Sequence, residues 1–72
     1  FDLPQNSFVE LEIYDISGRK VRTVVNKNME AGSHQVVWDG YDEVGNQAAS
    51  GVYFYRIQAG KFAAVNKMLL MK

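Results

Sequence analysis

Residues 38–57, WDGYDEVGNQAASGVYFYRI, constrain the fold more than any other stretch. The indole of Trp38 is followed at once by Asp39-Gly40, then by a polar loop carrying Gly45 and Gly51, then by an apolar run holding Tyr53, Phe54 and Tyr55. That order describes a strand that ends, a long turn, and a second strand that starts buried. These rings hold most of the large apolar surface of the chain. The expected centre of the core is therefore their meeting, inside two stacked layers with no cleft left over for reaction chemistry.

The flanking sequence repeats the theme of strands punctuated by glycine. Val9, Leu11 and Ile13 alternate with Glu10, Glu12 and Tyr14, the period of two of a half-buried strand. Asp15-Ile16-Ser17-Gly18 then has turn chemistry: Asp accepts local backbone hydrogen bonds and Gly takes positive φ. A three-residue hairpin loop closed by a glycine bulge follows, with Ile13 opposite Val21, Val9 opposite Val25 and Glu12 opposite Arg22. The returning strand, residues 19–25, gives way to a polar link over 26–32. Alternation resumes over 33–38, with His34, Val36 and Trp38 on the inner side.

Residues 52–59 form a strand with Tyr53, Tyr55 and Ile57 on one face and Val52, Phe54 and Arg56 on the other. Apolar groups on both faces predict a central strand, or one shielded by a neighbouring module. Ala59-Gly60 turns the chain into residues 61–71, where Phe62, Ala64, Met68 and Leu70 are in phase but Val65 and Leu69 are not. A bulge near Asn66-Lys67 reconciles them. Five strands at spacings of about ten residues, with few helix signals, predict an all-β chain folded as a small antiparallel sandwich. The chain opens on Phe1-Asp2-Leu3-Pro4 without an initiator Met and reads as a piece of something longer. On that reading residues 1–3 are the tail of a missing first strand, and the exposed edge invites self-association.

Composition narrows the function. Seventy-two residues make one small domain, at a size where folding buries only about 60% of the unfolded chain's surface. Without cysteine, stability must come from packing and backbone pairing. Eight basic residues balance eight acidic ones, which leaves no electrostatic footprint for nucleic acid or an anionic membrane. No run approaches the roughly 18 apolar residues of a membrane span, so membrane insertion is not expected.

Nor do the polar residues assemble a catalytic set. Asp39, Asp42 and Glu43 form the one carboxylate cluster, but their spacing does not match a calcium loop, and Asp39 and Asp42 serve better as braces of the turn that accept backbone N–H bonds. Glu10 and Glu12 share a face, yet that face is flat and solvated. His34 is the single histidine and is expected to be a packed, hydrogen-bonded imidazole. Tyr53, Phe54 and Tyr55 would make a sugar-stacking platform if exposed, and core packing is the simpler role. Neither an enzyme nor a cofactor is expected. The closing run, Lys67-Met68-Leu69-Leu70-Met71-Lys72, reads either as an edge strand fenced by lysines or as a terminal tag recognised by strand addition.

Taken together, several pieces resemble the C-terminal sorting domains of type IX secretion cargo and the related immunoglobulin-like domain of the flagellar hook-capping protein. They are Phe1-Asp2-Leu3-Pro4, Val9 through Asp15 with Gly18-Arg19-Lys20-Val21, Ala31-Gly32-Ser33-His34, Val36-Val37-Trp38-Asp39-Gly40, Asp42, Gly45, Ser50 through Ile57, and Lys67 through Lys72. The resemblance implies an immunoglobulin/fibronectin-III-like sandwich of the seven-strand type, one module over 1–72, at the C-terminus of a larger secreted protein that is often a hydrolase. It implies an address read by outer-membrane secretion machinery, and a place outside the cell or on the bacterial surface. Carried over by position, Gly51, Val52 and Tyr53 match one family motif, and Lys67, Met68, Leu69, Leu70 and Lys72 match the terminal one. The Asn-Pro-containing strand with which the family pattern begins is absent. Two other roles stay open: a structural interaction module of the hook-capping type, with the parent's neighbouring domain as partner, and an accessory carbohydrate- or calcium-binding module.

Overall fold

The computed structural model describes residues 1–71. Six strands run in order: β1 (Asp2–Leu3), β2 (Ser7–Tyr14), β3 (Lys20–Met29), β4 (Gly32–Ser33), β5 (Gly51–Ala59) and β6 (Phe62–Leu70). They form two antiparallel sheets, a four-stranded one ordered β3-β2-β5-β6 and a two-stranded one pairing β1 with β4. Together the sheets make a small sandwich. The core lies between them, where Leu3 of β1 packs with Val9 and Leu11 of β2, Val25 of β3, and Ile57 and Ala59 of β5. β5 takes the central place that its two apolar faces predict, between β2 and β6.

The β2–β3 hairpin starts as its turn chemistry dictates and then departs from the simple register. Gly18 N–H donates to Asp15 O and Asp15 N–H to Arg19 O, while Asp15 Oδ1 accepts from the N–H groups of Ser17 and Arg19. Tyr14 therefore faces Lys20. Farther along, Ile13 faces Arg22 rather than Val21, Glu12 faces Thr23 rather than Arg22, and Val9 faces Lys27 rather than Val25. Two bulges cause the shift, with Val21 and Val24 as the extra residues of β3. A bulge breaks the alternation of side chains, which is how the consecutive residues Val24 and Val25 both reach the core.

Other expectations need correction. β3 continues through Asn26, Lys27 and Asn28 to Met29, although their polarity reads as a link, because Ser7 to Glu10 of β2 lie opposite with free ladder groups. Of the expected 33–38 strand only Ser33 belongs to a strand, in β4 with Gly32; His34 extends that pairing through two backbone bonds to Phe1, and residues 35–38 run beyond it outside the ladder. The alternation survives there, with His34, Val36 and Trp38 half-buried and Gln35 and Val37 exposed. β5 and β6 pair in one uninterrupted register from Gly51↔Leu70 to Ala59↔Phe62, so the bulge expected at Asn66-Lys67 does not exist. Val65 and Leu69 point outward simply because β6 is an edge strand whose outer face is open to solvent.

Candidate interaction surface

Trp38 and Tyr53 meet as expected, edge to face, with ring centroids 5.2 Å apart and planes at 69°, but they are not the centre of the core, which is the aliphatic cluster around Val9 and Ile57; Trp38 itself is only half-buried. Each ring also fixes the long loop between them. Trp38 Nε1 donates to Tyr41 O at 2.9 Å, and the Tyr53 hydroxyl donates to Ala49 O at 2.6 Å. An amphipathic ring can do both because one end packs while the other reaches a backbone carbonyl. The three aromatics of β5 share no platform: Tyr53 is buried, Tyr55 lies half-buried against the core, and Phe54 points to the opposite face.

The two layers stack as expected, yet a hollow remains between them. A groove of about 390 Å³ opens between the layers, walled by Phe1, Val36 and Trp38 on one side and floored by Tyr55, Ile57 and Met68 on the other. The cause is width. Two short paired strands and an unpaired continuation over 35–38 cannot cover a four-stranded sheet.

On the β3 side the layers are tied by the loop carboxylates. Asp39 Oδ1 accepts from Arg22 at 2.7 Å and from Tyr41 N–H at 3.0 Å, the backbone bond being the larger cause of a carboxyl held below its ordinary range. Asp42 Oδ1 braces its turn by accepting from Val44 and Asn46 N–H groups, at 3.0 and 2.9 Å. Glu43 turns to β3, where its carboxylate accepts from Thr23 N–H and its own N–H donates to Val21 O. Thus the bulges of β3 present backbone to the loop, and each acidic side chain is committed to a separate partner. Arg22, expected opposite Glu12, serves this tie instead, and Glu12 accepts from the Tyr14 hydroxyl and from Lys20. Glu10 is exposed on the outer face. His34 Nε2 sits 2.6 Å from Glu30 O, and its ring stacks on Phe1 at 5.4 Å.

The residues singled out by resemblance fall on one hairpin. Gly51 pairs with Leu70, Val52 with Leu69, and Tyr53 with Met68, while Lys67 faces Phe54; Lys72 lies outside the described residues. Pairing divides them by face. Tyr53, Met68 and Leu70 turn inward, with Tyr53 buried, whereas Val52, Lys67 and Leu69 turn outward. Val65, which the sequence reading left out of the candidate site, joins this outer face at 61% exposure, with Lys67 between it and Leu69 at 62%. Its signal was present in the odd positions of 61–71 that fell out of phase with the core.

The chain matches the FlgD Ig-like domain family over residues 1–61. The chain belongs to that family. The match bears out the hook-capping side of the resemblance, and it stops at the start of β6, before the terminal motif. No curated protein and no solved structure matches the chain significantly.

Proposed function

We propose that this Ig-like chain is a non-catalytic structural module that joins neighbouring polypeptides through its exposed sheet surface. One observation carries the reading: the outer face of the β5–β6 hairpin exposes Val52, Val65 and Leu69 around half-buried Phe54, with Arg56 and Lys67 between them. An exposed apolar face interspersed with two cations can dock a partner, and its natural occupant is the neighbouring domain of a parent protein or a second copy. Sedimentation velocity on the chain at rising concentration tests this. Association is expected, and Val65→Lys with Leu69→Lys is expected to abolish it while leaving the β-sheet circular dichroism intact. A chain that stays monomeric, alone and mixed with its parent's adjoining domain, would refute the reading.

The finer role of a sorting address, working outside the cell with outer-membrane secretion machinery, draws on the cross-strand meeting of Gly51-Val52-Tyr53 with Met68-Leu69-Leu70. Two pieces distant in sequence become one patch that a receptor can grip. Fusion of the chain to a reporter in a host competent for type IX secretion tests it. Export should fail on deleting residues 67–72 and on the fold-sparing Leu69→Lys, and export unaffected by both removes the sorting role.

A further inference from the structure

β3 is an outer strand of the four-stranded sheet, and its residues 21–25, Val-Arg-Thr-Val-Val, have a composition that pairs readily with another strand. Its outer side is nonetheless filled where Glu43 lies. Glu43 N–H donates to Val21 O at 3.2 Å, and the Glu43 carboxylate accepts from Thr23 N–H. In a parallel ladder a residue donates to the carbonyl just before its opposite number and accepts, through its own C=O, from the amide just after it. Glu43 reproduces that pattern around Arg22, with its carboxylate standing in for the backbone carbonyl. One residue thus replaces a neighbouring strand.

Two further ties hold it there. Asp42 braces the turn through the N–H groups of Val44 and Asn46, and Asp39 holds the Arg22 guanidinium at 2.7 Å. Farther along the same strand, Lys27 faces Val9 in the ladder and so lies on the core side, yet it is exposed. An inward-turned lysine and bulges, here at Val21 and Val24, are means by which edge strands resist pairing with another chain.

We infer that Glu43 is an edge plug: it occupies the ladder groups of Val21 and Thr23 and so prevents β3 from pairing antiparallel with β3 of a second copy. A second copy is the occupant such an edge takes, because identical edges brought together across a two-fold axis run antiparallel and residues 21–25 then face their own counterparts. The plug lies at the opposite edge of the sheet from β6 and does not depend on the docking role of the β5–β6 face.

The test uses the whole chain carrying Val65→Lys and Leu69→Lys, so association through the β5–β6 face does not contribute and failure of that reading leaves the test untouched. Glu43→Ala should speed amide exchange at Thr23 at least about fivefold, the loss of one hydrogen bond, whereas Glu43→Gln keeps an acceptor and should stay within about twofold. Adding Asp39→Ala to Glu43→Ala frees the loop, and sedimentation velocity should then show a dimer that grows with concentration. Thr23→Pro removes the edge amide that such a pair needs and should restore the monomer. Slow exchange retained at the Ile57 amide separates this dimer from aggregation of unfolded chain; should the double variant unfold, Glu43→Ala alone at rising concentration decides in its place. A chain that stays monomeric in that comparison, a dimer that survives Thr23→Pro, or Thr23 exchange that is indifferent to Glu43→Ala or equal in the Ala and Gln variants would each overturn the inference.

Discussion

Asp15 and Asp39 show how much of a small sandwich rests on single carboxylates. Asp15 accepts from the Ser17 hydroxyl at 2.6 Å and from the Ser17 and Arg19 N–H groups; the hydroxyl and the Arg19 amide hold its carboxyl below the usual value of 3.8. Asp39 is lowered too, first by the Tyr41 amide and then by Arg22. A carboxyl with a depressed folded-state pKa contributes stability that is full above its unfolded value and is lost as pH falls through the folded one. The midpoint of urea unfolding should therefore hold between about pH 7 and pH 5 and drop below 3.8. The fall should be shallower in Asp15→Asn/Asp39→Asn; an equally steep fall would assign the acid sensitivity elsewhere. At this scale the sequence was legible for Asp15, Asp39 and Asp42, whose turn-bracing roles follow from side-chain reach alone. It was not legible for Arg22. A guanidinium on a strand has several carboxylates within reach, and the choice of Asp39 over Glu12 follows from bulges that set its direction.

Among the elements, the β2–β3 hairpin separates local chemistry from long-range demand. Its turn needs Gly18 at φ 87, where a Cβ meets nothing within 4 Å, so substitution costs backbone strain and no clash. Gly18→Ala should cost roughly 1–2 kcal/mol, and Gly18→Asn less, because Asn visits the left-handed region more readily. Chemical denaturation of the three proteins checks the order; equal costs would mean the loop relaxes to another turn. The turn and its first pair, Tyr14↔Lys20, follow from residues within a few positions of one another. The bulges do not, since Val21 and Val24 are extra only by comparison with β2, and the loop over 39–43 that binds this edge is distant in sequence. β6 teaches the opposite lesson. Its mixed phase reads as a bulge, yet the register with β5 is continuous and the odd residues are merely solvent-facing. Periodicity alone does not distinguish an apolar residue that is buried from one held on a surface.

In the whole molecule, one narrow layer rests on a wider sheet, and stability concentrates where they overlap. Ile57, 4% exposed beside its cross-strand partner Leu11 and in the cluster it shares with Leu3, belongs to that overlap. Truncating a buried Ile to Ala removes transfer energy and leaves a cavity, about 2–5 kcal/mol. A domain of this length carries roughly 0.05–0.15 kcal/mol per residue in total, so Ile57→Ala should lower Tm by more than about 10 °C or unfold the chain. Val44→Ala, at 82% exposure, should stay within about 0.5 kcal/mol. A thermal melt followed by circular dichroism compares them, and similar melts would place the core elsewhere. The amino-acid sequence by itself determined the all-β class, the hairpin turns, the inward residues of β2 and β5, and the pairing of Trp38 with Tyr53, because period, turn chemistry and ring size act locally or through burial alone. Only the tertiary structure decided the bulged register of β3, the meeting of residues 51–53 with 68–70, and the groove left open beside Val36 and Trp38. Those depend on how many strands each layer contributes and which edge lacks a neighbour, quantities set by contacts between distant segments that no local pattern encodes.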